Sequence, residues 1–336
     1  MAYVVAMHVT VLGAGSWGTT VASLVSSRNP TMLWARNPDV AAEVNAEHRN
    51  ESYLPGFDLA PKLTATSELE EAASFAELLI VGVPTTAVRS TLEQAAPWIH
   101  PWIPIVSLAK GLEQKTLLRM TEVIADVAPG RPVAALTGPN IAREIMAGQA
   151  AAAVIATEDL SVARAIQDVL TRGLFRVYLN DDVIGCELGG SLKNVVAIAS
   201  GIAQGLGVGD NTRSAVMTRG LAELTRLGVA MGGRASTFAG LAGMGDLITT
   251  CISPHSRNRH VGEQLGAGWK LADILAEMNM VAEGVKTATT ARELARRHDV
   301  PMPVCDEIYK VVSGKASADR AYRGLHLRPG HEKDPG

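Results

Sequence analysis

The sequence predicts an α/β fold: an N-terminal, doubly wound, mostly parallel sheet followed by a C-terminal all-α domain. Three observations carry this reading. Short, continuous apolar runs alternate with helical patterns through the first half of the chain, as strands buried on both faces require. A glycine-rich turn, Gly13-Ala14-Gly15-Ser16-Trp17-Gly18, follows the first such run and opens a helical segment. After Phe175–Leu179 the β pattern stops, and helical periodicity alone continues from Asp182 to about residue 325.

Taken in order, the predicted strands are His8–Leu12, Thr31–Ala35, Leu78–Val83, Pro104–Ala109, Val133–Thr137, Ala151–Ala156 and Phe175–Leu179, each bounded by Gly, Pro or Asn. Helices fill the intervals, among them Thr85–Ala96 and Thr116–Val127, and Ser67-Glu68-Leu69-Glu70 reads as a capping box opening another. Leu271–Met278 and Thr287–Arg297 are typical of the later helical region. The predicted domains are residues 1–181, the nucleotide-binding unit, and 182–327, all-α, with a disordered polar tail at 328–336. A length of 336 residues agrees with two domains at ~150 residues each.

Composition narrows the function classes. With 47% hydrophobic and 19% charged residues the chain is an ordinary globular protein. A net charge of −3 leaves no broad basic footprint for nucleic acid or an anionic membrane. Three scattered cysteines, Cys186, Cys251 and Cys305, suit neither a disulfide framework nor a cysteine-rich zinc site, and point to a reducing compartment. Lacking a basic segment ahead of its first apolar run and any uninterrupted stretch of 18 apolar residues, the chain reads as cytoplasmic, with no membrane span. His255 and His260 have the wrong spacing for one helical face, so no metal is expected. Glycine is the outlier: 32 in the chain, above the ~7% usual, so backbone must approach something closely.

The turn at Gly13–Gly18 supplies one answer. In a Rossmann-like unit Gly13 permits the tight turn, Gly15 lets the backbone approach a pyrophosphate, and Gly18 lets helix and strand pack closely. NAD-specific sites carry an acidic residue at the end of the second strand, and this chain has Arg36 there. A guanidinium pairs with a 2′-phosphate, so NADP(H) is favoured and NAD(H) remains open.

Other candidates lie farther along. Lys110 closes the strand Pro104–Ala109, and Gly138-Pro139-Asn140 ends Val133–Thr137 ahead of a short helix. The carboxyl ends of parallel strands are where open sheets bind ligands. Lys193, one or two turns into a strongly apolar helix, either snorkels to water or serves as a base whose pKa burial and a nearby cation depress. In Gly240–Cys251, Asp246 can orient an ammonium group. Ser256, Arg257 and Asn258 offer a hydroxyl, a fork-shaped cation and an amide, a plausible phosphate cradle at a helix start.

Taken together the motifs resemble the bacterial NAD(P)-dependent glycerol-3-phosphate dehydrogenases. The resemblance runs from about His8 to Tyr322, through Gly13–Thr19, Tyr53–Gly56, Ala109–Gly111, Gly138-Pro139, Ser191–Asn194, Gly240–Cys251, Ser256–Asn258 and Glu283-Gly284. It implies reversible reduction of dihydroxyacetone phosphate to sn-glycerol 3-phosphate, feeding phospholipid synthesis. It also implies a phosphorylated small-molecule substrate, and a homodimer, as family members often are. By the same resemblance Lys193 is the proton acceptor, Lys110 and Asp246 its catalytic partners, and Asn194 and Thr250 supporting groups. Gly138, Asn140, Ser256, Arg257 and Asn258 are further substrate contacts. Ser16, Trp17, Arg36, Tyr53, Lys110, Ala142, Arg257, Val281 and Glu283 fall on cofactor-contact positions. The family usually has a small hydroxyl residue where this chain has Asn140, and an aromatic at Ile141.

Two alternatives stay open on the residues themselves. One is another β-hydroxyacid or 6-phosphogluconate-type dehydrogenase, which also joins such a domain to a helical one carrying a lysine. The other is a nucleotide-sensing binding protein without chemistry.

Overall fold

The computed structural model describes residues 6–278 and 281–324. The expected tail, 328–336, lies outside the described residues. The chain divides into two compact units, Met1–Ala109 with Met120–Val183 in one and Lys110–Arg119 with Ile184–Gly336 in the other.

Among the described residues the first unit holds eight strands: β1 Val9–Leu12, β2 Thr31–Trp34, β3 Leu63–Thr66, β4 Leu78–Val81, β5 Ile105–Ser107, β6 Val133–Thr137, β7 Ala151–Ala156 and β8 Phe175–Asn180. Between them run α1 Ser16–Ser26, α2 Pro38–Glu47, α3 Leu69–Phe75, α4 Val88–Ala95, α5 Met120–Val127, α6 Ala142–Met146 and α7 Leu160–Leu170. The sheet order is β3-β2-β1-β4-β5-β6-β7-β8. Neighbours are parallel except β6 and β7, so Val9 lies opposite both Thr31 and Leu78 while Leu136 meets Ile155 head to tail. Strand order reverses between β1 and β4, the position at which such sheets open a ligand crevice. Val11, Leu33, Ile80, Val106, Leu136 and Ile155 form the core.

Four local expectations need correction. β3 is missing from the sequence reading because Leu63-Thr64-Ala65-Thr66 is an edge strand with alternating burial, not a continuous apolar run. The helix expected from Thr116 begins at Met120. Leu117 takes a left-handed φ of 65°, and Leu112 bridges Arg119 instead. The helix expected over Thr85–Ala96 is α proper only at Val88–Ala95, with a tighter three-residue turn at each end. Ser67 does not cap α3: Glu68 is the flanking residue, and Thr66 Oγ1 accepts its N–H at 3.0 Å.

The second unit is helical: α8 Val183–Gly205, α9 Asp210–Ala230, α10 Ala235–Phe238, α11 Asp246–Ile252, α12 Arg257–Gly266, α13 Leu271–Glu277, α14 Glu283–Arg297, α15 Pro303–Val312 and α16 Ala318–Gly324. α8 is the central element, with every residue from Gly185 to Ala203 buried. It has the length and hydropathy of a membrane span, yet 89% of that window is covered by the protein itself. Leu188, Leu192, Val195, Ile198, Val261, Leu294 and Ile308 make the core around it, joined by Leu112 and Leu117 of the segment Lys110–Arg119. The glycine-rich stretch ahead of Asp246 forms a wide π-type turn over Leu241–Gly245 that runs straight into α11. A Cβ on Gly243 would lie 2.2 Å from the carbonyl oxygen of Phe238, so this glycine is there for backbone packing.

Candidate active site

In the first unit each glycine of the turn has a distinct environment. Gly13 has φ +116°, and a Cβ there would lie 2.8 Å from the backbone of Gly82 and Val83. On Gly18 it would meet Gly13 O at 2.1 Å, whereas nothing lies within 4 Å of a Cβ on Gly15. Two glycines are closed by packing and the middle one faces open space, the arrangement a close-approaching anion needs. No side chain caps the N-terminus of α1 at Gly15, and the positive end of its dipole there favours a phosphate.

The turn is braced by a residue the sequence did not single out. Asn50, fully buried, donates from Nδ2 to Ala14 O at 2.9 Å and to Thr19 Oγ1 at 2.8 Å, and its Oδ1 accepts from Tyr53 N at 3.2 Å. Tyr53 is thereby tied to the glycine turn. A lone Asn in a loop has no periodic signal, so nothing in the sequence could have flagged it. Ser16 opens α1, and Trp17 beside it meets Phe175 edge-on, with its buried Nε1–H lacking a partner among the described residues. Arg36 stands exposed two residues beyond β2.

Gly138 ends β6 with φ +112°, close against the Ala153 backbone of β7. Both amide atoms of Asn140 are buried without a partner among the described residues, as is Thr137 Oγ1. Buried polar groups are seldom left unpaired, so this end of the strand suits a polar ligand. Ala142 is the first residue of α6.

The second unit gathers the ionisable candidates. Lys193 lies about three turns into α8, deeper than the sequence implied, because the helix begins at Val183. Asp246, the first residue of α11 and 2% exposed, bridges two lysines. Its Oδ1 sits 2.9 Å from Lys193 Nζ, and its Oδ2 accepts from Lys110 Nζ at 2.7 Å. Lys193 also donates to Thr250 Oγ1 at 2.5 Å, and that hydroxyl donates to Asp246 O at 2.6 Å. A buried lysine pays a large desolvation cost when charged. Burial therefore pulls the Lys193 pKa down from 10.5 to about 8. The Asp246 charge opposes this, and the Lys110 charge reinforces it. Cys251, packed close by and fully buried, has its thiol pushed up to about 12, so it stays protonated.

Asn194 and Asn258 form an amide relay. Asn194 Nδ2 donates to Lys110 O at 3.1 Å, Asn258 Nδ2 to Asn194 Oδ1 at 2.9 Å, and Gly284 N to Asn258 Oδ1 at 2.9 Å. The Asn258 amide is thus engaged inside the protein, tying α8, α12 and the start of α14 together. Ser256 caps α12 by accepting from Arg259 N at 3.2 Å and keeps its hydroxyl proton to donate, while Arg257 opens the helix exposed to solvent. Glu283 starts α14, and Val281 just before it is exposed.

A doubly wound sheet with an uncapped glycine turn, together with a helical unit that buries a lysine–aspartate–lysine cluster, defines a Rossmann-fold dehydrogenase of the two-domain type. Comparison with known proteins makes the class specific. Residues 8–163 match the family model for the NAD-dependent glycerol-3-phosphate dehydrogenase N-terminus, and residues 182–323 match that for its C-terminus. The chain is 56% identical to a protein of Sphingopyxis alaskensis named glycerol-3-phosphate dehydrogenase (NAD(P)+) 2, over 98% of this chain and 99% of that one. A Mycobacterium avium protein named glycerol-3-phosphate dehydrogenase (NAD(P)+) is 50% identical over 96% of each. The crystal structure of glycerol-3-phosphate dehydrogenase from Coxiella burnetii superposes with a TM-score of 0.92 at 34% identity, covering 96% of this chain and 99% of that one. This chain belongs to the NAD-dependent glycerol-3-phosphate dehydrogenase family, a family of nicotinamide-dependent oxidoreductases.

Proposed function

We propose that the chain reversibly reduces dihydroxyacetone phosphate to sn-glycerol 3-phosphate, feeding phospholipid synthesis, with Lys193 moving the proton of the C2 oxygen. The observation that carries the role of Lys193 is its place beside Asp246 and Lys110, with a pKa lowered to about 8. A general base or acid works best when its pKa lies near the working pH. Lys110 and Asp246 hold Lys193 and polarise the reacting oxygen, and Thr250 fixes the direction of the Nζ protons. Asn194 holds the backbone of Lys110, and the Asn258 amide holds Asn194. Arg257 and Ser256, at the start of α12, attract the phosphate, and Gly138 with the unpartnered amide of Asn140 takes a further polar group of the substrate. Asn is larger than the hydroxyl residue usual at that position, but it offers both a donor and an acceptor.

The open side of Gly15 and the uncapped start of α1 fit a pyrophosphate, so Gly13, Gly15, Ser16, Trp17 and Gly18 would hold the cofactor, with Arg36, Tyr53, Ala142, Lys110, Arg257, Val281 and Glu283 at its other contact positions. When bound, a reduced nicotinamide supplies the hydride. Arg36 in place of a carboxylate supports NADP(H) over NAD(H). A homodimer and a cytoplasmic setting belong to the same reading, the latter supported by three buried cysteines outside any disulfide.

Initial rates with dihydroxyacetone phosphate, comparing NADPH with NADH, test the reaction and the preference together. Tight cofactor binding without turnover would instead mean a sensor. Lys193→Ala lowers kcat by about 10²–10⁴-fold, and a loss below tenfold removes Lys193 from the role. In the oxidation direction Lys193 must start neutral, so kcat/KM rises with pH around 8. Reduction needs it protonated, so that rate falls over the same interval.

A further inference from the structure

The segment Lys110–Arg119 stands out, because it interrupts the sheet domain in sequence yet folds with the helical unit. It is a closed loop. Leu112 bridges Arg119, Glu113 N donates to Leu118 O at 2.9 Å, and Leu117 N donates to Glu113 O at 2.8 Å. Leu112 and Leu117 are buried in the core of the helical unit. Both ends of the loop are fastened to α8. At its start, Lys110 O accepts from Asn194 Nδ2; at its end, Arg119 Nη1 donates to Glu187 Oε2 at 2.7 Å. The side chains of Arg119 and Glu187 are 13% and 5% exposed, so this pair is largely removed from water. Glu187 and Asn194 are seven residues apart, two helical turns, and therefore lie on one face of α8 about 10 Å from each other.

We infer that Glu187 and Arg119 are positioning residues: their buried ion pair clamps the far end of the loop to the same face of α8 as Asn194, and so fixes where the Lys110 ammonium meets Asp246. A buried pair of this kind is poor evidence for stability, since apolar replacements are often neutral or better. What the pair supplies here is geometry. Lys110 is joined to Asp246 across 136 residues of sequence, and releasing the far end of the loop would let the backbone beneath its long side chain shift. This inference rests on the proposed role of Lys193, and acts through it. A retreating Lys110 takes a positive charge away from Lys193 and leaves Asp246 to that lysine alone. Both changes favour the protonated amine. The titratable and charged groups facing Lys193 are Asp246 and Cys251 from α11 and Lys110 from the loop, and Arg213 of α9 acts on Cys251. Of these, the clamp moves Lys110.

The test is the pH profile of kcat/KM for sn-glycerol 3-phosphate oxidation, measured for the full-length wild type, Lys110→Met, Arg119→Lys and the double variant Arg119→Met/Glu187→Leu. The double variant replaces both partners with apolar side chains, which avoids stranding a buried charge and keeps the fold. Folding is checked by circular dichroism and thermal melting. The expected result is a midpoint moved up by on the order of one pH unit in Lys110→Met and in the double variant. The double variant also loses about tenfold in kcat, and Arg119→Lys recovers most of the wild-type profile. A merely structural pair would lower the amount of active enzyme without moving the midpoint. A folded double variant with the wild-type midpoint, alongside a shifted Lys110→Met, overturns the clamp and leaves the roles of Lys110 and Lys193 standing. An unshifted Lys110→Met overturns those roles, and the clamp with them.

Discussion

Two regions of the molecule are built from glycine, and they use it in opposite ways. In the sheet domain Gly13 and Gly18 are closed against backbone, but Gly15 between them faces open space at the start of α1. In the helical unit, α8 and α12 pack through Gly201, Gly205, Gly262 and Gly266. A Cβ on these would lie 2.1, 2.1, 2.1 and 2.5 Å from the carbonyl oxygens of Arg259, Glu263, Ile198 and Ile202. Each pair is spaced i, i+4, so both glycines of a helix lie on one face and the backbones meet with no side chain between them. The difference teaches how to read an excess of glycine. Where every Cβ position is filled by the protein's own backbone, glycine serves packing. Where one is left empty beside a helix end that no side chain caps, it leaves room for a ligand.

That distinction predicts opposite outcomes for the same substitution. Gly262→Ala forces α8 and α12 apart, because the obstacle is the Ile198 carbonyl and not a side chain that can swing away. Overpacking of this kind costs about 1–3 kcal/mol or more, and with backbone on both sides the upper end is expected. Denaturant unfolding measures it. A variant as stable as the wild type would break the comparison at its packed end. Gly15→Ala is the smaller effect and the converse one. Its φ of −67° suits any residue and no atom is near, so stability stays within about 0.5 kcal/mol of wild type. The methyl instead occupies the space a pyrophosphate would use, weakening nicotinamide cofactor binding by about tenfold, or 1.4 kcal/mol. Fluorescence titration with NADPH and NADH reads this out, and unchanged affinity together with lost stability would reverse the assignment.

The glycines of the turn were legible in the sequence and those of the helix crossing were not. Gly13, Gly15 and Gly18 sit between an apolar strand and a helix, a local context that marks them as a candidate phosphate turn. Gly201 and Gly262 are 61 residues apart on helices whose crossing is a tertiary fact, so composition could register their excess without explaining it. The same limit applies elsewhere. Continuous apolar runs revealed the buried strands, but edge strand β3, with its alternating pattern, escaped. Lys110, Lys193 and Asp246 could be named as candidates, while the carboxylate bridge joining two lysines appears only once three distant segments fold together. Asn50 and the Arg119–Glu187 pair carry no sequence signal, because their significance lies in what they touch.

Buried carboxylates divide along the same line. Asp246 faces two ammonium groups, whereas Glu223 of α9, 1% exposed, faces backbone: it accepts from Val304 N at 2.7 Å and Cys305 N at 3.2 Å in the first turn of α15. Burial dominates, and pushes the Glu223 pKa from 4.5 up to about 7, with the two N–H groups opposing. The folded state therefore binds this proton more tightly than the unfolded chain does. Its contribution to stability is complete below pH 4.5 and fades as pH rises through about 7. Glu223→Gln keeps an oxygen for the two N–H groups but cannot titrate. Melting temperatures compared between pH 5 and pH 8 should show the wild type losing a few degrees relative to the variant as pH rises. A difference that stays flat across that range would mean Glu223 remains charged in the fold. It would then stand apart from the groups that serve packing alone.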